Sequence, residues 1–114
     1  MFIFTFKSFR AEANYPVALT AHNFSSYVYE SESATLVEFY STYCGFCLRL
    51  APRLKHFAES VTKWKSVVKV AKVNCEEMEN LILCRKHKRL SFPTFLFFAP
   101  DLLEGESGVL IQCE

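Results

Sequence analysis

Glycine and proline are scarce in this chain, three and four residues in 114. That leaves no room for a repeat array, a collagen-like stretch or a low-complexity linker. No apolar run approaches the roughly 18–20 residues that a membrane-spanning helix needs. Charge of neither sign dominates: 13 Lys and Arg stand against 12 Asp and Glu, so no global field points to nucleic acid or to an acidic membrane surface. No second CxxC or Cys/His pair sits at finger spacing, so no metal is expected. What the chain does have is apolar: 51% of it is hydrophobic, with twelve phenylalanines, which excludes disorder. At this length that makes one domain around one core. Five cysteines are many for a cytosolic chain and too few for a scaffold that replaces a core. They fit an oxidising compartment, with one left over.

The chain is organised around Leu36-Val-Glu-Phe-Tyr-Ser-Thr-Tyr-Cys-Gly-Phe-Cys47. An apolar, β-branched and aromatic run ends in two cysteines separated by two residues, and a helical pattern follows at once. Cys44 therefore stands where a strand hands over to the first turn of a helix. The free N–H groups and the positive end of the helix dipole there favour an anion, and a thiolate is one. Cys44 is expected to be the nucleophile. Cys47, one turn later, is close enough to form a disulfide with it.

Before this stretch, residues 1–13 read as a leader. Phe2-Ile-Phe-Thr-Phe6 resembles the remnant of a signal h-region, and Ala11-Glu-Ala13 has the small-x-small pattern of a cleavage site. The run is shorter than the roughly 7–15 residues of a full h-region, Lys7 interrupts it, and no basic segment precedes it. A weak or truncated signal and an ordinary leader both stay open. Residues 14–114 read as a single domain. Strands are expected over 15–19, 35–40, 67–75, 94–98 and 109–111. Helices are expected over 21–30, 44–62 (with Pro52 inside) and 76–88, the last turning Met78, Leu81, Ile82 and His87 to one side. Strands that alternate with helices imply a central sheet with helices on both faces.

Strand–CGFC–helix, Pro52 five residues past the second cysteine and Phe92-Pro93-Thr94 before a late strand together resemble a thioredoxin-fold domain. Val37-Glu-Phe-Tyr40 is similar to the protein disulfide isomerase branch. Trp64, Val73-Asn-Cys-Glu-Glu77, Cys84-Arg85 and Phe92-Pro-Thr94 narrow the resemblance to the first thioredoxin domain of quiescin sulfhydryl oxidases. It covers about residues 17–98. It implies an α/β fold with a mixed central sheet, and protein thiol–disulfide exchange through Cys44 as the exposed sulfur and Cys47 as the buried resolving one. Glu38 matches the family's buried carboxylate, which relays a proton for Cys47. Pro93 matches the cis-proline facing the disulfide, and the backbone of Phe92 is the part that pairs with an extended substrate. Tyr43 and Phe46 then line an apolar rim for unfolded, cysteine-containing protein substrates. Cys75 and Cys84 match a second, structural disulfide; a loop of about ten residues gives roughly 2.5–3 kcal/mol on the chain-entropy account. The family implies the secretory pathway (endoplasmic reticulum or Golgi) or secretion. No cofactor is implied in this chain; FAD enters only with a separate flavin-linked oxidase domain or partner.

The chain departs from that pattern in four ways. Phe46 stands where the disulfide isomerase branch has histidine, which weakens an oxidising reading. His87 and Arg89 occupy apolar positions ahead of the cis-proline, with Leu90 one residue displaced. The family's last helix is missing, which leaves one face of the 94–98 strand uncovered and forfeits roughly 3–6 kcal/mol for two large side chains. The flavin-binding domain is absent. Two other functions are weighed against exchange: a non-catalytic substrate-binding or chaperone module, and a truncated fragment of a larger sulfhydryl oxidase. Among single residues, Cys113 reads as a free thiol. The basic run 85–89 reads as cations at a helix C-terminus.

Overall fold

The computed structural model describes residues 15–87 and 91–112. The leader 1–13, Arg89, Leu90 and Cys113 lie outside them. β-Branched and aromatic runs supply five strands: β1 (Val17–Leu19), β2 (Ala34–Tyr40), β3 (Val68–Asn74), β4 (Thr94–Phe98) and β5 (Val109–Ile111). Between them lie α1 (Phe24–Val28), α2 (Gly45–Ser60) and α3 (Leu81–Lys86), with 3-10 turns at Thr62–Trp64 and Met78–Asn80.

The strands form one sheet in the order β1-β3-β2-β4-β5. β1, β3 and β2 run parallel, and β4 and β5 are antiparallel additions. β2 is the centre, and all seven of its residues are buried or half-buried. Strand alternation divides it into two sets. Val37 and Phe39 face the larger core, with Phe24 and Val28 of α1, Cys84 of α3, Val73, Leu96 and Phe98. Leu36 faces the smaller one, with Leu54 and Ala58 of α2, Val70 and Phe95. Glu38 and Tyr40 share the parity of Leu36 and so fall beneath α2.

Three expectations need correcting. The helix expected over 21–30 is one short element, because the Thr20 carbonyl accepts the N–H groups of both Asn23 and Phe24 and the Asn23 side chain accepts the Thr20 N–H at 2.8 Å; that turn uses up the segment's first residues. The helix expected over 76–88 opens as a 3-10 turn, which rotates the following residues. Met78 and Ile82 are 77% and 76% exposed; of the expected face His87 alone is buried, together with Asn80 and Cys84. His87 lies among the rings of Phe24, Phe39 and Phe98, at 5.4, 5.4 and 5.7 Å between centroids. A histidine at that apolar position works as an aromatic disc. Lastly, the buried stripe of α2 is narrower than its pattern: Cys47, Leu54 and Ala58 are covered, while Ala51 and Phe57 are exposed.

Phe95 and Phe97 of β4 point to the α2 side and are half-buried. A groove of about 450 Å³ lies there, lined by Phe46, Leu50, Leu54, Pro93, Phe95, Leu110 and Ile111 among others.

Candidate active site

β2 ends at Tyr40, and the chain turns through Ser41, Thr42 and Tyr43 into α2. Cys44 is the N-cap of that helix, with φ −92° and ψ 112°. Its Sγ accepts the backbone N–H of Cys47 at 3.1 Å, so sulfur does the work that a serine or aspartate oxygen does at most helix starts. The Cys44 thiol also points to the Phe92 carbonyl, 3.7 Å away. The Phe92–Pro93 peptide bond is cis. The backbone expected to pair with substrate thus lies beside the expected nucleophile.

Both thiols are free in this structure, Cys44 half-buried and Cys47 buried. Burial pushes the Cys47 thiol up to about 11, helped by its contact with Cys44 and opposed by a backbone hydrogen bond from Ser41. Glu38 is 4% exposed. Loss of water raises its carboxyl to about 7, against the pull of Lys72. The sequence reading gave Glu38 no cation. Lys72 is that cation: it is the register partner of Glu38 on the neighbouring parallel strand, and its ammonium lies 5.6 Å from the Tyr40 ring centroid. Desolvation still outweighs it, so the direction of the shift stands. Glu38, Tyr40, Cys47 and Lys72 line one small cavity of about 50 Å³ beneath the first turns of α2.

Around this centre the rim is apolar and open. Tyr43 is 85% and Phe46 55% exposed, with the Arg49 guanidinium 5.9 Å from the Phe46 ring centroid. Pro93 is half-buried, and Phe92 packs against the edge of the larger core. Just past the end of β3, Cys75 is joined to Cys84 of α3, with Cα atoms 6.0 Å apart. Cys44 meets the Phe92 carbonyl, Cys47 shares a cavity with Glu38, Phe46 shares a groove with Pro93, and Cys75 is joined to Cys84. The structure adds Tyr40, which shares strand parity with Glu38, and Lys72, which reaches Glu38 only through the register of β2 and β3.

A family model described as thioredoxin matches residues 15–108. The chain belongs to the thioredoxin family. Among curated thioredoxin-family relatives, it is 34% identical over 90 residues to protein disulfide-isomerase 1 of Dictyostelium discoideum, covering 79% of this chain and 24% of that protein. It is 39% identical over 95 residues to protein disulfide-isomerase 2-3 of Arabidopsis thaliana, covering 83% and 20%. With sulfhydryl oxidase 1 of Mus musculus it shares 35% over 80 residues, covering 70% and 11%. This thioredoxin chain therefore spans a quarter or less of the length of these relatives. A solved structure, the J-Trx1 fragment of ERdj5, matches with a TM-score of 0.70 at 26% identity, over 86% of this chain and 44% of that one. The thioredoxin-like fold, a mixed five-stranded sheet with helices on both faces, is the one the motifs implied.

Proposed function

We propose that this thioredoxin domain is a protein thiol–disulfide oxidoreductase that works through Cys44 and Cys47. The observation that carries the reading is the placement of the Cys44 sulfur, at a helix start and 3.7 Å from the Phe92 carbonyl, with the buried Cys47 one turn along. The Cys44 thiolate attacks one sulfur of a substrate disulfide; the other leaves as a thiolate and a mixed disulfide forms. Cys47 then attacks the Cys44 sulfur, expels the second substrate thiolate and leaves the domain oxidised by two electrons. Run in reverse, the same steps oxidise a dithiol substrate.

The second step needs a base. With its thiol near 11, Cys47 is almost wholly protonated at neutral pH. Glu38, near 7 and lining the same cavity, takes that proton, a service typically worth about 10²–10⁴-fold. Lys72 keeps the carboxylate accessible at neutral pH. Tyr43, Phe46 and Pro93 present the apolar rim on which an unfolded, cysteine-containing polypeptide lies, with its backbone against Phe92.

The two electrons are carried by the reduced Cys44 and Cys47 thiols and are given up when the pair closes to a disulfide, so the exchange itself calls on no cofactor in this chain. A flavin-linked oxidase domain or partner, in keeping with the sulfhydryl oxidase likeness, would take them by the same exchange. The Cys75–Cys84 bond supports an oxidising compartment, the secretory pathway or the cell exterior. Among the described residues no helix is long and apolar enough to cross a membrane.

The test is a redox titration in glutathione buffers, with free thiols trapped and intact mass read out. One pair should titrate, and Cys44→Ser should abolish it. A Cys44→Ser protein that still reduces disulfide substrates would sink the reading. One that only keeps its affinity for unfolded clients would show that the rim binds independently of the chemistry.

A further inference from the structure

Arg49 stands one turn into α2 and is exposed; the exchange steps make no use of it. Residues four apart share a helix face, and helical side chains lean toward the N-terminus. Arg49 accordingly reaches back over the start of α2. Its guanidinium lies 5.9 Å from the Phe46 ring centroid, and a Cβ on Gly45 would sit only 3.3 Å from Arg49 Nη1. The bare glycine gives the cation room next to Cys44, and the Phe46 ring attracts it there.

That charge is not neutralised within the domain. Among the described residues the ion pairs are His22–Glu79 and Lys55–Glu59. Glu38 is buried, and the Glu76 carboxylate accepts the hydroxyl of Ser41. An unpaired cation thus lies over Phe46, which shares a groove with Pro93 on the rim beside Cys44.

We propose that Arg49 is a specificity-determining residue, favouring clients that carry an acidic side chain next to the reacting cysteine. When a client sulfur reaches Cys44, the residues flanking it come to the first turn of α2. A carboxylate there meets a guanidinium, which can take it with two parallel N–H bonds, and a lysine is repelled. The contact is made at a wet rim. Its effect is therefore modest, screened by salt and exerted chiefly on the rate of encounter.

The inference rests on the exchange reading, and the test separates the two. Three peptide disulfides differ only in the residues on either side of the cysteine, which are Glu, Ala or Lys. Each carries the same fluorescent leaving thiol. Stopped flow with the reduced full chain follows the release of that thiol. Each rate is divided by the rate of the same peptide with mercaptoethanol, which removes differences in the peptides' own reactivity. In about 10 mM salt the Glu peptide should outpace the Lys peptide about 3- to 10-fold. In about 1 M salt, where the Debye length is about 3 Å, the ratio should fall below about twofold. Arg49→Gln should bring the low-salt ratio below about twofold, and Arg49→Glu should invert it. Arg53→Gln, at an exposed position one turn farther from Cys44, should keep most of the preference. Thermal melts show that each variant is folded. A wild type that does not distinguish the Glu and Lys peptides overturns the proposal. So does a folded Arg49→Gln as selective as the wild type, or an Arg53→Gln that loses the preference as fully. If the wild type releases the fluorescent thiol from none of the three peptides, the exchange reading itself fails, and this inference with it.

Discussion

Glu38 shows at a single residue how function and stability pull apart. The folded protein holds a proton on this carboxyl up to about pH 7, while the unfolded chain releases it near 4.5. Between those values the native state binds more protons, so stability falls as pH rises. The contribution is fully present below about pH 4.5 and is lost by about pH 7. At about 1.4 kcal/mol per unit its size is about 3 kcal/mol. Urea unfolding at pH 4.5 and pH 8 should show that fall in the wild type and a flatter profile in Glu38→Gln, which should also be the more stable protein at pH 8. A wild type of equal stability at the two pH values would contradict the buried-carboxyl account. The same variant should resolve mixed disulfides at least tenfold more slowly at pH 7, because Cys47 has lost its base. Phe46 supplies a second residue-scale prediction. A protonated histidine beside the Cys44 thiolate stabilises the reduced pair, so Phe46→His should raise the midpoint potential by about 30 mV, a tenfold change for two electrons. An unchanged or lower midpoint in the glutathione titration would mean that residue 46 points away from the sulfur.

Among the elements, α1 is short but contributes heavily to the core. Phe24 is 2% exposed and meets the rings of Tyr29, Phe39, His87 and Phe98 at 5.4 to 6.2 Å. Phe24→Ala should cost about 3–5 kcal/mol, whereas Ile82→Ala on the exposed side of α3 should stay within about 0.5 kcal/mol. Chemical denaturation of both variants checks the contrast, and a costly Ile82→Ala would mean that α3 is turned the other way. The central part of the fold was legible because its signals are local. The apolar run of β2, the cysteines at its end and the stripe of α2 announce strand, turn and helix within 25 residues. Glu38 could be read as buried because it is the lone charge in that run. The face of α3 was misread, since apolar spacing at 78, 81 and 82 carries no sign of the 3-10 turn that rotates it. Lys72 beside Glu38 and Glu76 beside Ser41 were out of reach as well. The residues of each pair lie 34 or 35 positions apart: Glu38 and Lys72 meet through the register of two parallel strands, Ser41 and Glu76 just past the ends of those strands, and no local pattern encodes register.

On the scale of the whole molecule, the described cysteines form two pairs: Cys75 and Cys84 are bonded, while Cys44 and Cys47, the pair proposed for exchange, are free thiols. Replacing Cys75 and Cys84 by alanine should lower stability by roughly 2.5–3 kcal/mol, the cost of freeing a loop of about ten residues. A thermal melt equal to the wild type would show that the bond does not restrain the unfolded chain. The sheet also bears on how this molecule meets copies of itself. Among the described residues β5 pairs with β4 along one side only, and Val109, Leu110 and Ile111 are 63%, 46% and 48% exposed. An apolar strand with an open row of amides and carbonyls is a template on which another strand can nucleate. In concentrated solution, self-association is therefore expected to begin at these three residues.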